Sequence, residues 1–264
     1  MTRVLFLGDV FAGTGRLLVS RRLPGLMADE GLDLALANAE NAAGGVGLTP
    51  GCARELLDAG LDGLSGGNHT FRHQEVVPLL EADPRVIRPA NLPEPCPGRG
   101  FTILEARDGR KVGFGNLMGR VYNNQPLDCP FRRAETLIGE MREAGALVTI
   151  IDFHAETTSE KISLAHFLDG RLGALLGTHT HVQTSDARIL PNGLAFLTDA
   201  GMTGPHGSVI GMRPAEVISS FLTGRLHRFK ASKDDPCLEG AIVDFDGQGA
   251  ATSIRTVSLR GLPE

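Results

Sequence analysis

Two histidines, His179 and His181, stand one residue apart in the stretch GTHTHVQT, directly after the apolar run LGALL. If LGALLGTHTHV forms a strand, side chains two residues apart point to the same face, so both rings face one side of a sheet. Two neutral imidazoles in that arrangement can share a cation. A solvated strand end with threonine caps explains the same letters, so these two residues alone leave both interpretations open.

Four further apolar runs also end in side chains that bind cations or transfer protons. The runs LFLG, LALANA, LSGG and TIIDF are followed by Asp9, by Glu40 and Asn41, by Asn68 and His69, and by His154. Asp and Asn are common in turns and caps, but His has no comparable preference, so capping does not explain the whole set. The carboxyl ends of strands form the ligand-binding edge of open α/β sheets, and we expect a metal site there.

The number of candidate ligands indicates two ions. A single catalytic zinc takes about three protein ligands, whereas this chain offers Asp9, Glu40, Asn41, Asn68, His154, His179 and His181. Nitrogen and oxygen ligands without thiolate suit manganese, iron or zinc. Two ions ~3.5–4 Å apart need a bridging carboxylate, for which Glu40 is the candidate, and such pairs clamp the oxygens of an in-line displacement at phosphorus.

The elements that must position these side chains are short apolar strands alternating with amphipathic helices, which indicates an α/β fold. The sequence predicts a first helix that is interrupted or ended near Pro24, and a second from the N-cap Thr49 to Gly60. Three more helices are predicted in FRHQEVVPLLEAD, RRAETLIGEMREAG and SEKISLAHFLDG. GFTILEA and KVGFGNLMG flank the turn RDGR as a hairpin, and the tail from ARIL onwards is predicted mainly as strands.

Composition narrows the classes of function. The chain of 264 residues has no internal repeat or linker, so we expect one domain over residues 1–264. A net charge of −5, no Trp and one Tyr argue against a broad grip on nucleic acid or a membrane. The start MTRVLFLGDVF has no signal-peptide pattern and no run of ~18 apolar residues occurs, so a cytoplasmic protein with reduced cysteines is expected.

The ordered blocks of candidate ligands resemble the calcineurin-like metallophosphoesterase superfamily and, more narrowly, its YmdB-like subfamily of bacterial cyclic-nucleotide phosphodiesterases. The resemblance is carried by FLGDVFAGTGR, NAENAAGGVGLT, GGNHTF, DFHAETTSEK, GTHTHVQT and DAGMTGP. It implies an α/β fold with a four-layer αββα sandwich of two mixed sheets and a dinuclear metal centre. Asp9, Glu40 and His181 would hold one ion, and Glu40, Asn68, His154 and His179 the other.

The same resemblance implies an enzyme, a metal-dependent phosphodiesterase acting on small phosphodiesters such as 2′,3′-cyclic nucleotides or RNA-derived phosphates. A metal-bridging hydroxide would attack in line, and His69 would protonate the leaving oxygen as general acid. The implied cofactors are two divalent or trivalent ions per chain, iron, manganese or zinc. The implied assembly is a homo-oligomer without a membrane partner.

Two positions depart from the broad superfamily pattern while agreeing with the narrower subfamily. The superfamily block usually has a histidine two residues after the first aspartate, where this chain has Phe11. Asn41 beside the bridging glutamate is the replacement ligand. The acidic residue that often follows GNH is Thr70 here, so another group must orient His69.

Other polar residues have both a functional and a structural interpretation. His206, Gly44 and Gly45 are weak candidates for contacts with substrate, the glycines through backbone N–H groups. Asp152 could hold an imidazole tautomer, and Asp199 could shape a loop near the metals. We expect Lys161 to form a salt bridge at a helix start, and His73 and His166 to be surface or helix-packing residues within helices.

Three other functions compete with the phosphodiesterase. A (β/α)-barrel amidohydrolase also uses a His-x-His pair, but on its first strand, whereas here the pair comes late. A capsule-associated metallophosphoesterase relative fits poorly with the absence of an export signal in the sequence. A regulatory or RNA-metabolism scaffold that keeps its metals with little catalysis remains open, because metal ligands serve structure as well as chemistry.

Overall fold

The computed structural model describes residues 1–225 and 227–262, with the strands and helices numbered here in chain order. The strands are β1 (Thr2–Leu7), β2 (Asp9–Val10), β3 (Leu34–Asn38), β4 (Gly63–Ser65), β5 (Phe101–Glu105), β6 (Lys111–Met118), β7 (Val148–His154), β8 (Ala174–Thr178), β9 (Arg188–Ile189), β10 (Ala195–Leu197), β11 (Met202–Pro205), β12 (Pro236–Phe245) and β13 (Ala251–Arg260). The helices are α1 (Ala12–Asp29), α2 (Pro50–Asp58), α3 (Val76–Ala82), α4 (Pro130–Glu143), α5 (Thr158–Leu168) and α6 (Pro214–Thr223).

The strands form two mixed sheets. The first has the order β2-β11-β12-β1-β3-β4, with β13 also paired to β12, and the second has the order β5-β6-β7-β8-β10-β9. Strands β1, β3 and β4 run parallel, as do β6, β7, β8 and β10. The carboxyl ends of these parallel strands therefore lie at a common edge within each sheet.

Alternation along the strands places the two sheets face to face between layers of helix. Val4 and Phe6 on β1 face the second sheet, where Phe6 meets Phe114 with ring centroids 6.3 Å apart. The neighbouring Leu5 and Leu7 face a separate core shared with α1 and α2. A third core joins the outer face of the second sheet to α4 and α5. The order of layers is helix, sheet, sheet, helix, as the resemblance implies, and it excludes a (β/α)-barrel.

Several local predictions can be compared with this fold. The hairpin formed by β5 and β6 is confirmed, with antiparallel pairing from Phe101 to Glu105. The predicted break near Pro24 is wrong, because α1 continues through it to Asp29. Pro24 and Ser20 are both exposed, so the carbonyl that Pro24 leaves without a partner is open to water.

Two helix predictions also need correction. The predicted helix from Phe71 begins only at Val76, so His73 lies in the preceding turn, where its Nε2 is 2.9 Å from the Val46 carbonyl oxygen. His166 does lie on a helix, in the last turn of α5. The tail predicted mainly as strands also contains α6, which was not predicted; it begins with Pro214 in its first turn and ends at a left-handed Gly224. Within the described residues, none of the helices combines the length and the apolar character that a bilayer crossing requires.

Candidate metal centre

The structure brings all eight principal site residues of the sequence prediction into one cluster between the edges of the two sheets. The first sheet contributes Asp9, Glu40, Asn41, Asn68 and His69, and the second contributes His154, His179 and His181. Each stands at or within three residues of the carboxyl end of a strand, except His69, which follows the end of β4 by four residues. Contacts between the two groups include 3.1 Å from Glu40 Oε1 to His154 Nε2.

One half of the cluster surrounds His154 with acceptor atoms. His154 Nε2 lies 2.9 Å from Asn68 Oδ1, 2.9 Å from His179 Nδ1 and 3.1 Å from Glu40 Oε1. The far nitrogen of His179 lies 3.0 Å from Glu156 Oε2, which favours a proton on that side of the ring. Two imidazole lone pairs, an amide oxygen and a carboxylate oxygen thus face one point. Such a donor set fits a cation.

A buried hydrogen-bond network holds His154 in this orientation. Thr178 Oγ1 donates to Asp152 Oδ1 at 2.7 Å and lies 2.9 Å from His154 Nδ1, so it accepts the Nδ1 proton. Asn38 Nδ2 donates to the other Asp152 oxygen at 2.8 Å. Asp152 therefore sets the tautomer of His154 through Thr178 rather than by direct contact. Because the ring proton stays on Nδ1, the Nε2 atom keeps its lone pair free to bind a cation.

The other half of the cluster is formed by Asp9, Asn41 and His181. His181 Nδ1 lies 2.9 Å from the Ile210 carbonyl oxygen, which directs Nε2 toward Asp9 Oδ1 at 3.6 Å. The Asn41 Nδ2 atom lies 3.2 Å from Asp9 Oδ1, 3.2 Å from His181 Nε2 and 3.3 Å from Glu40 Oε1. Rotating the Asn41 amide by 180° would exchange its two terminal atoms, so that Oδ1 would face the proposed ion and Nδ2 would face His69 Nδ1.

Phe11, at the position where the superfamily has a histidine, packs edge-on against His181 with ring centroids 5.6 Å apart. Two left-handed glycines surround its ring, because a Cβ at Gly45 or Gly211 would lie 2.7 Å or 2.5 Å from Phe11 carbon atoms. Phe11 thus supports the His181 ring by packing and offers no ligand atom.

His69 stands beside the carboxylate that joins the two halves. Its backbone N–H donates to Glu40 Oε2 at 2.8 Å, and its Nδ1 lies 2.9 Å from Asn41 Oδ1. Asn41, rather than the residue that follows the histidine, therefore orients the ring. The Thr70 hydroxyl accepts from Gly67 N at 2.9 Å and shapes the turn instead. The other nitrogen of His69, Nε2, makes no hydrogen bond within the described part of the chain, and the side chain is 36% exposed.

The premise that His179 and His181 lie on a strand is wrong. Strand β8 ends at Thr178, and both histidines have left-handed backbones, with φ of 104° and 62°. Between them, Thr180 donates through both N and Oγ1 to Asp199 Oδ2, at 3.1 and 2.8 Å. The rings therefore converge because of a strained, hydrogen-bonded turn, and not because of strand periodicity.

Charge in the cluster favours a bound cation. Burial would raise the pKa of the Glu40 carboxyl, but His154 and His69 outweigh it and hold that pKa well below its usual value. Burial would lower the pKa of His154, but the nearby carboxylates of Glu40 and Asp9 outweigh it and raise the pKa to about 9. Burial and His154 together lower the pKa of His179 to about 4. The carboxylates of Glu40 and Asp9 thus stabilise a positive charge at the point where the ligand atoms converge, which is the charge that a metal ion would supply.

Gly67 leaves the space that this cluster occupies. A Cβ atom there would lie 2.3 Å from Glu40 Oε2 and 2.6 Å from His154 Nε2. The second glycine of GGNH, Gly67, is therefore needed because any larger residue would overlap the side chains of the cluster.

Two clefts open beside the cluster. The apolar cleft, of about 450 Å³, is walled by Phe11, Val46, Ile210, Met212 and Phe229 and reaches His69, Glu40 and His181. The amide cleft, of about 270 Å³, is walled by Asn123, Asn124 and Gln125 and reaches Asn68 and His154. His179 and Glu156 border both clefts.

The weaker candidates lie less centrally. His206 is grouped with Cys237 and Glu239, and its Nε2 is 3.0 Å from the Met202 carbonyl oxygen. Gly45 lines the apolar cleft, but its N–H donates to the Asn41 carbonyl oxygen within its own loop. His206 and Gly44 are not among the described residues that line the two clefts.

Sequence reasoning missed Glu156, Thr178 and the amide-bearing segment 123–125. Glu156 follows His154 by two residues, and Thr178 precedes His179, so proximity to predicted ligands was the available signal. The segment 123–125 is distant in sequence from every predicted ligand. Gln125 reaches the site by donating from Nε2 to the Asn68 carbonyl oxygen at 2.7 Å.

Comparison with known proteins places this geometry in a family. The family described as YmdB-like protein matches residues 5–257. The 2′,3′-cyclic-nucleotide 2′-phosphodiesterase of Bacillus subtilis (strain 168) is 42% identical over 246 residues, covering 93% of this chain and 92% of the relative.

Two solved structures have the same fold. A phosphatase from Mycoplasma pneumoniae superposes with a TM-score of 0.91 at 32% identity, covering 98% of this chain and 93% of that one. A 5′-nucleotidase precursor from Thermus thermophilus shares the fold alone, with a TM-score of 0.58 at 15% identity, over 98% of this chain and 54% of that one. The chain belongs to the YmdB-like family of metallophosphoesterase-related proteins.

Proposed function

We propose that the chain is a metal-dependent phosphodiesterase that hydrolyses 2′,3′-cyclic nucleotides. The observation that carries the proposal is the position of Glu40, whose Oε1 lies 3.1 Å from His154 Nε2 and 3.3 Å from Asn41 Nδ2. One buried carboxylate thus touches both halves of the cluster. The named activity of the Bacillus subtilis relative and the phosphatase from Mycoplasma pneumoniae support the same class of reaction.

The cluster would hold two ions, iron, manganese or zinc. Asp9, Glu40, Asn41 and His181 would hold one, and Glu40, Asn68, His154 and His179 the other. When bound, such a pair supplies Lewis-acid activation of water and neutralises charge on phosphoryl oxygens. The tautomers of His154 and His181 suit this role, because Thr178 and the Ile210 carbonyl take the protons on the far side of each ring.

His69 would serve as the general acid. His69 Nδ1 lies 2.9 Å from the Asn41 side-chain amide and 3.4 Å from Glu40 Oε1, and these two groups fix the ring. With Asn41 Oδ1 turned to an ion, Asn41 Nδ2 would donate to His69 Nδ1 and leave the ring proton on Nε2. The Nε2 atom then carries the proton that the departing ribose oxygen needs. A correctly placed general acid contributes about 10²–10⁴-fold in rate.

A five-membered cyclic phosphate suits the shape of the site. The cluster lies at the floor of two small clefts of about 270 and 450 Å³, which fit a nucleotide. The net charge of −5 gives no broad electrostatic attraction to a polymer of phosphates. The proposal therefore favours a mononucleotide or a short RNA-derived end over duplex nucleic acid.

The test is hydrolysis of 2′,3′-cyclic AMP and of bis-p-nitrophenyl phosphate by the purified chain, with metal analysis. Chelator should abolish both activities, and added Mn²⁺, Fe²⁺ or Zn²⁺ should restore them. Glu40→Gln should remove turnover, while the matched control Glu105→Gln on the edge strand β5 should not. Wild-type activity in chelated protein, or in a Glu40→Gln variant that keeps its ions, would contradict the proposal. Stable ion binding without turnover would favour the regulatory scaffold.

A further inference from the structure

The apolar walls of the cleft beside His69 have no role in holding the ions, yet the cleft opens directly onto the proposed ligands. We propose that this cleft is the nucleobase subsite, with Phe229 as the exposed aromatic wall against which the base stacks. This inference rests on the proposed hydrolysis of cyclic nucleotides. It adds which side of the cluster receives the nucleoside and what chemistry recognises it.

The position of the proton donor decides the side. Hydrolysis of a 2′,3′-cyclic phosphate forms a new P–O bond from water and breaks the bond from phosphorus to one ribose oxygen. That oxygen takes a proton from His69, whose proton is replaced by one from the attacking water. Because the released oxygen stays on the ribose, the nucleoside must lie on the same side of the phosphorus as His69. His69 lines the apolar cleft but not the amide cleft.

A third pocket, lined by Phe71, Arg72 and Pro126, also touches His69. Of the proposed ligands it reaches only Asn68, whereas the apolar cleft is bordered by Glu40, Asn41, His179 and His181. A phosphate placed over both halves of the cluster therefore continues into the apolar cleft.

The walls of the cleft fit an aromatic base. Ile210 is 56% exposed and Phe229 is 42% exposed, although both are large apolar side chains. A base between them would remove this surface from water. The walls Phe11, Val46 and Met212 offer no strong hydrogen-bonding group, so recognition would come from stacking and shape. Stacking accepts every base, because each has a π face, and purines gain most from it.

Ile210, which lines the apolar cleft, also contacts a proposed metal ligand through its backbone. Its carbonyl oxygen lies 2.9 Å from His181 Nδ1. The same residue therefore positions a ligand with its backbone and offers its side chain to the base. Among the described residues, no hydrogen bond joins Phe229 to a proposed ligand, which makes it the suitable residue to change.

The test compares Phe229→Ala with the control Phe221→Ala, which removes a phenyl ring that is 87% exposed on α6. Substrates are 2′,3′-cyclic AMP, 2′,3′-cyclic CMP and glycerol 1,2-cyclic phosphate, which has the same kind of ring but no base. Phe229→Ala should raise KM for cyclic AMP about tenfold, within the loss expected for one stacked base. It should raise KM less for cyclic CMP and leave the base-free substrate unchanged. Phe221→Ala should change none of these values.

An equal loss on the base-free substrate, or an unchanged KM for cyclic AMP, would overturn the assignment. A wild-type chain that hydrolyses none of the three would end the proposed function instead. Calorimetry would then judge the subsite by itself, with adenosine 3′-monophosphate and inorganic phosphate as probes of the metal-loaded chain. Tighter binding of the nucleotide that Phe229→Ala abolishes would support the subsite, and equal binding of both probes would overturn it.

Discussion

Lys161 Nζ lies 2.9 Å from Asp199 Oδ2, and both side chains are buried, at 1% and 0% exposure. The pair spans 38 residues of sequence and joins α5 to the loop after β10. The same Asp199 oxygen accepts from Thr180, the residue between His179 and His181. The salt bridge predicted for Lys161 thus forms, but it is a buried support of the histidine turn, not a local contact at the start of a helix.

Replacing Lys161 with Met should lower the free energy of unfolding by about 3–5 kcal/mol, because the Asp199 charge would be left buried without a partner. Urea denaturation measures the loss, and Lys233→Met at an exposed position is the control. The double variant Lys161→Met/Asp199→Leu should recover part of the stability, since it removes both charges. A single variant as stable as the wild type would show that the pair does not support the fold.

Gly67→Ala should reduce the number of bound ions while leaving the fold intact. The added methyl group would overlap Glu40 Oε2 and His154 Nε2, although the Gly67 backbone does not have the positive φ that excludes other residues. Metal analysis after loading, with circular dichroism for the fold, checks this. Gly139→Ala on α4 meets no atom within 4 Å and should gain about 1 kcal/mol of stability without losing ions. Full occupancy in Gly67→Ala would mean that the cluster can shift to accept a side chain.

Thr178→Val should lower metal affinity about 10–100-fold, the usual cost of losing a group that orients a ligand. The variant keeps the volume of the side chain but removes the acceptor of the His154 Nδ1 proton and the donor to Asp152. Competition with a chelator of known affinity measures the change. Thr102→Val, at a buried threonine of β5, is the control. If both variants bind ions like the wild type, the Thr178 network does not set the His154 tautomer.

Asp244 should make the fold sensitive to acid. Burial would raise the pKa of Asp244, but hydrogen bonds from Arg3 and Ser253 outweigh it and lower the pKa. Because the folded-state pKa lies below the unfolded value, the stabilisation is complete above about pH 4 and is lost as the pH falls through the folded-state pKa. Asp244→Asn should therefore lower Tm at pH 7, and the difference from the wild type should shrink as the pH falls below about 4. The control Asp29→Asn changes an exposed carboxylate. A difference that stays constant with pH would exclude this origin.

Much of the fold and the grouping of the candidate ligands could be predicted because they depend on local patterns. Apolar runs such as those of β1 and β7 identify buried strands, and polar residues after them mark the sheet edge. Glu40 and His154 therefore lie in contact, 3.1 Å apart, although they are far apart in the sequence. This required only that the strands preceding most of these residues, β3 and β4 in one sheet and β7 and β8 in the other, run parallel and that the sheets stack.

The details that the sequence did not reveal depend on contacts between distant segments. Asp199, a candidate for shaping a loop near the metals, does hold the turn at His179 and His181, but no local pattern connects it or Lys161 with that turn. The survival of α1 through Pro24 depends on which side of the helix faces water, and Gln125 reaches the site from another loop. Strand alternation correctly placed the rings of His179 and His181 in one cluster, but the cause is a left-handed turn and not a strand.

The left-handed backbones of His179 and His181 imply a conflict between the stability of the folded chain and the chemistry of the two imidazole rings. Glycine is the residue that such φ values suit best, and a histidine held there costs of order 1–3 kcal/mol. A chain with glycine at either position would relax its backbone while losing an imidazole. Selection for heat resistance alone would thus erode this turn, and its persistence would require selection for what the two rings do.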